Sequence, residues 1–259
     1  MLKKTPLILV TNDDGITSPG IAALIEAMQE LGNVAVVAPD KPQSGVGHSI
    51  TINSILRIQK VKLQGIKNAY STSGTPVDCV KLALYKILKQ KPDVCVSGIN
   101  HGSNISLNVI YSGTMSAAIE GAIEGIPSVG FSLMDASIGA DFSASKSIVK
   151  IITANLLRNG LPSGVCLNVN IPPLHISQLK GIKICKQAKA NWKEKFEERK
   201  DTSGKPYFWL TGEFMNFDKT KKDTDIWAVQ NNFVSVVPVQ FDLTEYRVIP
   251  ELKQWKLTL

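Results

Sequence analysis

The sequence contains no long apolar segment. Of its 259 residues, 44% are hydrophobic, yet no eighteen consecutive residues are apolar. A helix that crosses a bilayer needs about 20 such residues, so neither a membrane span nor a membrane partner is expected. The apolar run at residues 6–10 is too short for a secretory signal peptide, and two acids follow it instead of small residues. A cytoplasmic protein is therefore expected.

Cysteine and histidine are scarce and scattered. The chain has four cysteines without a CxxC pair and three histidines that lie far apart. Zinc sites need several of these ligands at short spacing, so a zinc cluster is not expected. Cys95 and Cys166 lie inside apolar runs. We expect the cysteines to be buried thiols in a reducing compartment.

Three common enzyme motifs are absent. No GxGxxG follows the first apolar run, and neither GxxxxGK[ST] nor GxSxG occurs. These glycines let a backbone approach phosphates or expose a nucleophilic serine. Their absence disfavours a dinucleotide-dependent dehydrogenase, a P-loop NTPase and an α/β-hydrolase.

The chain has an excess of basic residues, with a formal net charge of +7. Residues 180–224 contribute five of these charges, with 12 Lys or Arg against 7 Asp or Glu. A basic patch can bind nucleic acid or attract anionic substrates. Because KEKFEERKD interleaves both signs, a solvated mixed-charge surface is favoured, and no stable nucleic-acid complex is expected.

Strand-like and helix-like patterns alternate up to about residue 175. Strands are predicted at residues 6–11, 34–38, 94–97, 129–133 and 165–170, and helices at 20–31, 76–89, 115–124 and 144–158. The alternating segment at 48–62 is predicted to form a hairpin excursion. This order predicts an α/β fold in which helices cover both faces of a mostly parallel sheet. Two parts are predicted, a catalytic domain at 1–175 and a β-rich C-terminal extension with an arm at 176–259.

Small polar residues follow three of the predicted strands. Asp13 and Asp14 come directly after the first, Ser44 and Gly45 after the second, and Asn100 after the strand at 94–97. Ligands of parallel α/β sheets bind outside the carboxyl ends of the strands. Adjacent carboxylates repel each other, and a cation nearby relieves the repulsion. Oxygen donors suit Mg²⁺, Mn²⁺ or Ca²⁺ better than Zn²⁺. An ordinary turn or cap is the favoured explanation of NDDG taken alone, and a loop or cap also explains Ser44 and Asn100. The metal hypothesis gains because the three loops should end at one edge of one sheet.

A second candidate site lies where an alanine-rich helix is predicted to begin. Ser112, Gly113 and Thr114 precede this helix. The first turn of a helix offers unpaired N–H groups and the positive end of the dipole, which together can bind a phosphate. Simple capping by Ser112 or Thr114 explains the same residues, and both interpretations remain open.

Five segments, in this order, carry a family resemblance: ILVTNDDGITSPGI, VVAPDKPQSGVGHSIT, STSGTPVDCVKLAL, PDVCVSGINHGSNISLNVIYSGTMSAAIEGAIEGIPSVGFS and TDIWAVQNNFVSVVPVQFDLT. They span nearly the whole chain and resemble the SurE family, the stationary-phase survival proteins that are metal-dependent 5′/3′-nucleotidases. The resemblance implies a Rossmann-like domain with a C-terminal extension. It further implies that subunits of a homodimer or homotetramer exchange this arm.

The resemblance also assigns ligands. It implies one divalent cation per subunit, Mg²⁺ or Mn²⁺, with Ca²⁺ as a substitute in crystals. The metal ligands would be Asp13, Asp14, Ser44 and Asn100. The phosphate is expected at Gly45, Asn104, Ser112, Gly113 and Thr114.

We therefore predict a phosphomonoesterase that hydrolyses nucleoside 5′-monophosphates, with 3′-monophosphates and short polyphosphate as further substrates. Asp14 or Asp13 is expected to orient or deprotonate the attacking water, with Asp14 favoured. Asn104 is expected to stabilise the phosphoryl group during transfer. A non-catalytic nucleotide-binding module and a nucleic-acid-binding protein remain alternatives. The intact acid pair with Ser44 and Asn100 argues against the first, and metal-independent, salt-sensitive binding would favour the second.

Overall fold

A nine-stranded sheet forms the centre of the molecule in the computed structural model, which describes residues 5–137 and 139–257. The strands are β1 (Leu7–Thr11), β2 (Asn33–Pro39), β3 (Ile58–Lys60), β4 (Asn68–Thr72), β5 (Val94–His101), β6 (Ser128–Leu133), β7 (Val165–Ile171), β8 (Ile182–Ile184), β9 (Ala190–Lys200), β10 (Pro206–Asn216) and β11 (Val234–Gln240). Their order in the large sheet is β3-β4-β2-β1-β5-β6-β7-β11-β8. Pairing within it is parallel except between β3 and β4 and between β7 and β11. The predicted α/β class with a mostly parallel sheet is confirmed.

Helices cover the two faces of this sheet. They are α1 (Pro19–Gln29), α2 (Pro76–Leu82), α3 (Asn108–Tyr111), α4 (Gly113–Ile123), α5 (Ser143–Asn159), α6 (Asp225–Gln230) and α7 (Ile249–Leu252), and a π-helical turn, Ala83–Ile87, continues α2. Ile8 and Val10 of β1 belong to the apolar core under α1 and α5, whereas Leu9 belongs to the core under α2 and α4. This alternation is the period-two pattern of a strand buried on both sides.

Local capping chemistry fixes where two of the helices begin. The Ser18 hydroxyl accepts from the N–H of Ile21, and Pro19 occupies the first turn of α1. Thr75 and Asp78 form a reciprocal capping box at the start of α2. Such a cap is worth about 0.5–2 kcal/mol of helix stability. Both helix starts were predicted from the sequence.

The segment at 48–62 does not form the predicted hairpin. Only Ile58–Lys60 is a strand, and it pairs with Asn68–Thr72, which the sequence pattern did not reveal. Before this strand the chain is held by side chains. Both the amide and the hydroxyl of Thr51 donate to the carboxylate of Asp78. These bonds replace the ladder that a second strand would have supplied.

The C-terminal part is β-rich, as predicted. β8 and β11 extend the large sheet, while β9 and β10 form a separate antiparallel ribbon. At the base of this ribbon, the buried carboxylate of Asp225 accepts from the amides of Ser106 and Ala188, at 2.7 and 3.0 Å. The division of the chain at residue 175 stays a prediction.

All four cysteines are unpaired and buried, which confirms the expectation of buried thiols. Burial raises the pKa of Cys95 to about 12 and that of Cys166 to about 12. Within the described residues, none of the helices combines the length and apolarity needed to span a membrane.

Candidate active site

The candidate site lies where the strand order of the sheet changes direction. β1 pairs with β2 on one side and with β5 on the other, and all three strands run parallel. The remaining strands lie farther out: β4 and β3 beyond β2, and β6, β7, β11 and β8 beyond β5. In open α/β sheets the crevice at such a switch point, beyond the carboxyl ends of the strands, is where ligands bind. The polar residues that follow β1 and β2 and those that end β5 therefore meet at one edge.

Asp13 is buried at this edge, with 5% of its surface exposed. Its Oδ1 accepts from the hydroxyl of Thr114 at 2.5 Å. A Cβ atom added at Gly113 would lie 2.7 Å from the Cβ of Asp13, so only glycine fits this contact. The start of α4 therefore packs directly on the carboxyl group.

The pKa of Asp13 is raised to about 6. Burial is the largest cause, and the hydrogen bond from Thr114 partly offsets it by lowering the pKa. The neighbouring charge of Asp14 raises the pKa further. Asp13 is thus a carboxylate whose ionised form lacks a compensating positive charge.

Asp14 is more accessible than Asp13 and pairs with His101. Its Oδ2 lies 3.2 Å from Nδ1 of His101 and accepts from the amide of the same residue at 3.3 Å. The imidazole also packs edge-on against Phe142, with ring centroids 5.0 Å apart. These contacts fix one carboxylate oxygen of Asp14.

Asn12 fixes the turn that carries both acids. Its amide group donates to the carbonyl oxygen of Gly15 and to the hydroxyl of Ser18, each at 2.9 Å. Its Oδ1 is buried and, among the described residues, has no hydrogen-bond partner. Buried oxygens without a partner are rare in native proteins and usually mark a bound ion, water or ligand.

Asn100 lies in β5 just beyond an irregularity. The pairing of β5 with β6 shifts register between Ser97 and Asn100. Gly98 has a φ of +128°, and a Cβ there would lie 2.4 Å from the carbonyl oxygen of Phe131, so the irregularity requires glycine. The Asn100 amide group donates to the carbonyl oxygen of Gly102 at 2.8 Å, which leaves its own carbonyl oxygen available to a cation.

Ser44 and Gly45 lie on the loop that follows β2. The amide of the preceding residue, Gln43, donates to the backbone oxygen of Asp13 at 2.7 Å, so the loop is bonded to the acidic turn. Ser44 and Gly45 themselves are exposed. The structure brings this loop to the site, and none of the hydrogen bonds among the described residues fixes the Ser44 hydroxyl.

Asn104 belongs to a buried amide network beside the acids. It donates from its side chain to Ser132 at 2.8 Å and from its backbone to Asn170 at 2.7 Å, while Asn168 donates to its carbonyl oxygen. Ser132 is the register partner of Asn100 in the sheet, which places Asn104 next to that strand end. The network holds Asn104 without direct contact to Asp13 or Asp14 in any of these bonds.

Ser112 is the N-cap of α4. Its hydroxyl accepts from the amide of Met115 at 3.1 Å. Thr114, in contrast, donates to Asp13 and does not serve as the cap. Of the two sequence interpretations, capping is confirmed for Ser112, and a phosphate role for this helix start stays a prediction.

The donor set fits a hard divalent cation. Two adjacent acids, a serine hydroxyl and an available amide oxygen come from the ends of three neighbouring strands. No cluster of three or more His, Cys, Asp or Glu side chains suited to a metal occurs in the part of the chain that the structure describes. A set with only two acids and neutral oxygens suits Mg²⁺, Mn²⁺ or Ca²⁺ better than Zn²⁺.

Two histidine contacts at the site were not predicted. The pairing of His101 with Asp14 joins residues 87 positions apart, and that of His48 with Glu120 joins residues 72 positions apart. His101 directly follows Asn100 in the sequence, but nothing in the sequence indicates its partner. His48 stands only four residues after Ser44, which is the one local hint that it belongs to the site.

Comparison with known proteins gives a consistent result. The sequence profile described as "Survival protein SurE" matches residues 8–194. A protein named 5′-nucleotidase SurE from Flavobacterium psychrophilum is 61% identical over 253 residues, which cover 97% of this chain and 98% of that protein. One of the same name from Christiangramia forsetii is 60% identical over 259 residues, which cover 99% of each chain.

A solved structure also resembles this chain. The crystal structure of the SurE protein from Aquifex aeolicus has a TM-score of 0.85 at 43% sequence identity. The match covers 96% of this chain and 98% of that one, so it includes the C-terminal part as well as the candidate site.

Proposed function

The chain belongs to the SurE family, and we propose that it is a metal-dependent 5′-nucleotidase that hydrolyses nucleoside 5′-monophosphates to nucleoside and phosphate. The observation that carries the proposal is the buried Asp13 beside Asp14, held at the switch point of the sheet against the start of α4. This arrangement supports a cation site of oxygen ligands directly next to a helix N-terminus.

The proposed reaction is the transfer of a phosphoryl group to water. The oxygen of water forms a bond to phosphorus while the bond from phosphorus to the nucleoside oxygen breaks. One proton of the water is taken up at the site, and the leaving oxygen receives a proton as the nucleoside departs. The products are the nucleoside and inorganic phosphate.

We propose that Asp13, Asp14, Ser44 and the carbonyl oxygen of Asn100 hold the cation. When bound, the cation supplies positive charge that polarises the phosphoryl group and makes water more acidic. Mg²⁺ or Mn²⁺ suits this oxygen set. The positive charge would also lower the raised pKa of Asp13, because it stabilises the ionised carboxylate.

The two acids are proposed to divide the work. Asp13 is buried and its Oδ1 is bonded to Thr114, which suits a fixed ligand. Asp14 is more exposed, and His101 holds only its Oδ2. Its other oxygen can orient the attacking water and take its proton, so we assign the base role to Asp14.

The phosphate is proposed to lie between the loop after β2 and the start of α4. The residues that would bind it are Gly45, Asn104, Ser112, Gly113 and Thr114. The first-turn amides and the positive end of the α4 dipole favour an anion there. Among these residues Asn104 is the most rigidly held, since the amide network fixes its side chain and backbone.

Finer features follow from the same family membership. We propose that 3′-monophosphates and short polyphosphate are also cleaved, that the protein is cytoplasmic, and that two or four copies assemble by exchanging the C-terminal arm. The exposed Phe208, Trp209 and Leu210 on β10 support an assembly role for the ribbon.

A phosphate-release assay with AMP and GMP tests the proposal. We expect turnover that EDTA abolishes and that Mn²⁺ or Mg²⁺ restores. Asp13→Asn and Asp14→Asn should each remove most of the activity. The matched control Glu26→Gln replaces an exposed acid on α1 whose ion-pair partner is Lys146, and it should retain the activity.

Full turnover by the chelated enzyme would exclude the metal mechanism. Nucleotide binding without phosphate release, with every metal tested, would instead favour the non-catalytic nucleotide-binding module.

A further inference from the structure

Glu120, a buried acid in α4, has no role in the reaction described above. We propose that Glu120 is a positioning residue that, through His48, holds the loop carrying Ser44 and Gly45 against the phosphate-binding helix. The inference rests on the proposed function, because it deepens the role of the same site.

Glu120 is 2% exposed, and both its carboxylate oxygens are bonded. Oε2 lies 2.9 Å from Nε2 of His48, and Oε1 lies 2.5 Å from Nζ of Lys81 on α2. A buried carboxylate is costly unless it is paired. Burial alone would raise the pKa of Glu120, but the bonds from His48 and Lys81 lower it overall. The charged form is therefore the one that the two partners hold.

His48 belongs to the loop of residues 40–51, which needs outside support near Ser44. Gly45 has a φ of +71°, and in the described part of the chain no atom outside its two neighbours lies within 4 Å of the position its Cβ would take. Ser44 is exposed. The local sequence therefore does not fix this part of the loop, and its position depends on bonds on either side.

Those bonds can be followed along the loop. Before Ser44, the amide of Gln43 donates to Asp13. After Gly45, the amide of Gly47 donates to the carbonyl oxygen of Tyr111 at 3.2 Å, just before α4 begins. The next residue, His48, carries the side chain that reaches Glu120. The contact between His48 and Glu120 is thus the nearest side-chain hydrogen bond that holds the loop on the C-terminal side of Ser44.

The same helix links this anchor to the chemistry. Glu120 lies six residues after Thr114, which is about 9 Å along a helix that rises 1.5 Å per residue. The start of α4 contacts Asp13 through Gly113 and Thr114. Glu120 therefore sets the Ser44 loop relative to the helix that also positions Asp13.

A purely structural role would be to join α2 and α4 through Lys81. The chain offers a control for this role. The hydroxyl of Tyr85 donates to Glu124 at 2.7 Å and joins the same two segments without touching the loop. Tyr85→Phe should therefore leave metal binding unchanged if the loop, and not the joining of helices, is what matters.

The test compares His48→Ala, His48→Asn, Glu120→Gln and Tyr85→Phe in the full-length protein. The first readout needs no catalysis: amide hydrogen exchange of residues 40–51 in the metal-free protein, together with the Kd for Mn²⁺ by calorimetry. We expect His48→Ala to speed exchange in this loop and to weaken Mn²⁺ binding about tenfold, as when a group supporting a metal ligand is lost. His48→Asn, which retains a donor, should recover part of the affinity.

The second readout is steady-state hydrolysis of AMP at saturating Mn²⁺. His48→Ala should raise KM more than it lowers kcat, because the chemistry proper does not touch the histidine. His48→Ala added to Glu120→Gln should cost little more than Glu120→Gln alone, because the glutamine variant already loses the ion pair between His48 and Glu120.

Wild-type exchange and Mn²⁺ affinity in His48→Ala would overturn the inference, as would fully additive effects of the two substitutions. The His48 side chain is partly exposed, so we expect His48→Ala to fold. This variant therefore tests the inference even if Glu120→Gln fails to fold. A wild-type protein without phosphatase activity would refute the proposed function separately, since hydrogen exchange does not depend on turnover.

Discussion

Thr114 and Asp13, 101 positions apart in the chain, are joined by a hydrogen bond of 2.5 Å in which the hydroxyl donates to Oδ1. The bond connects the turn after the central strand to the first turn of α4. It fixes the orientation of a buried carboxyl group that would otherwise be free to rotate about χ2. The hydroxyl thereby determines which carboxylate oxygen of Asp13 is left for the proposed cation.

Thr114→Val should lower kcat/KM for AMP about tenfold to a hundredfold, since a hydrogen bond to a charged group is worth about 1.5–3 kcal/mol. Valine matches the size of threonine, so the fold should be retained. Thr114→Ser, which keeps the hydroxyl, is the control and should retain most activity. Equal activity of the valine and serine variants would show that the bond to Asp13 is unimportant.

Gly113→Ala should abolish metal binding while leaving the protein folded. The added Cβ would lie 2.7 Å from the Cβ of Asp13 and 3.0 Å from its Oδ2, so the carboxyl group must move. Calorimetry with Mn²⁺ measures the loss. Gly139→Ala is the control and should bind as the wild type does, because among the described residues no atom outside the chain neighbours lies within 4 Å of the new Cβ. Normal binding by Gly113→Ala would contradict the tight contact.

Asp225→Asn should destabilise the protein by about 1–3 kcal/mol, because an asparagine NH₂ group cannot accept from a backbone amide and one buried amide loses its partner. The defect should be largest at acid pH. Burial raises the pKa of Asp225, although the amides of Ser106 and Ala188 partly offset it. The folded state therefore holds the proton more tightly than the unfolded state, and the contribution of Asp225 to stability falls as pH rises above the ordinary pKa of aspartate. Urea unfolding of both proteins at several pH values measures the difference in their free energies of unfolding, which should become smaller as pH rises.

Asp218→Asn provides the opposite case. The side chain of Lys221 lowers the pKa of Asp218, so its contribution to stability is present above the ordinary pKa and is lost as pH falls. The difference between wild type and this variant should widen with rising pH. Parallel behaviour of the two variants would contradict the assignment of opposite shifts.

Replacing both Phe208 and Trp209 by glutamate should reduce the proposed oligomer to a smaller species in sedimentation velocity. These side chains are 59% and 56% exposed on the ribbon, and burying them against another copy would stabilise an assembly. Ile151→Glu with Asn155→Glu, on the exposed side of α5, adds the same charges elsewhere and should leave the assembly intact. A monomeric wild type at micromolar concentration would refute the exchanged-arm proposal.

Much of the fold was predictable because its signals are local. The stretch ILVTNDDGITSPGI gives an apolar strand, a turn of small polar residues and a helix start with Ser18 and Pro19, and each follows from neighbouring residues. β4 was missed because its sequence, NAYST, lacks the large apolar residues that mark a buried strand. The segment before β3 was wrongly predicted as a hairpin because its apolar and polar residues alternate as in a strand. In the structure, side chains such as Asp78 accept its backbone hydrogen bonds in place of a partner strand.

The site was predictable in part for the same reason. Asp13, Asp14 and Asn100 stand at strand ends, and the topology rule brings strand ends together. The partners of His101 and His48 were not predictable, since only the folded sheet makes Asp14 and Glu120 their neighbours. The capping role of Ser112 and the contact of Thr114 with Asp13 likewise depend on where α4 is docked.

The four buried cysteines make the chain a reporter of its own opening. Alkylating reagents attack the thiolate, and here burial raises the pKa of each thiol above its ordinary value. A folded molecule therefore offers such a reagent almost no reactive sulfur. The rate of labelling would measure how often the helices on each face separate from the sheet. Cys79 and Cys95 would report on the face covered by α2 and α4. The native cysteines can therefore report slow, transient opening of the fold without any engineered labelling site.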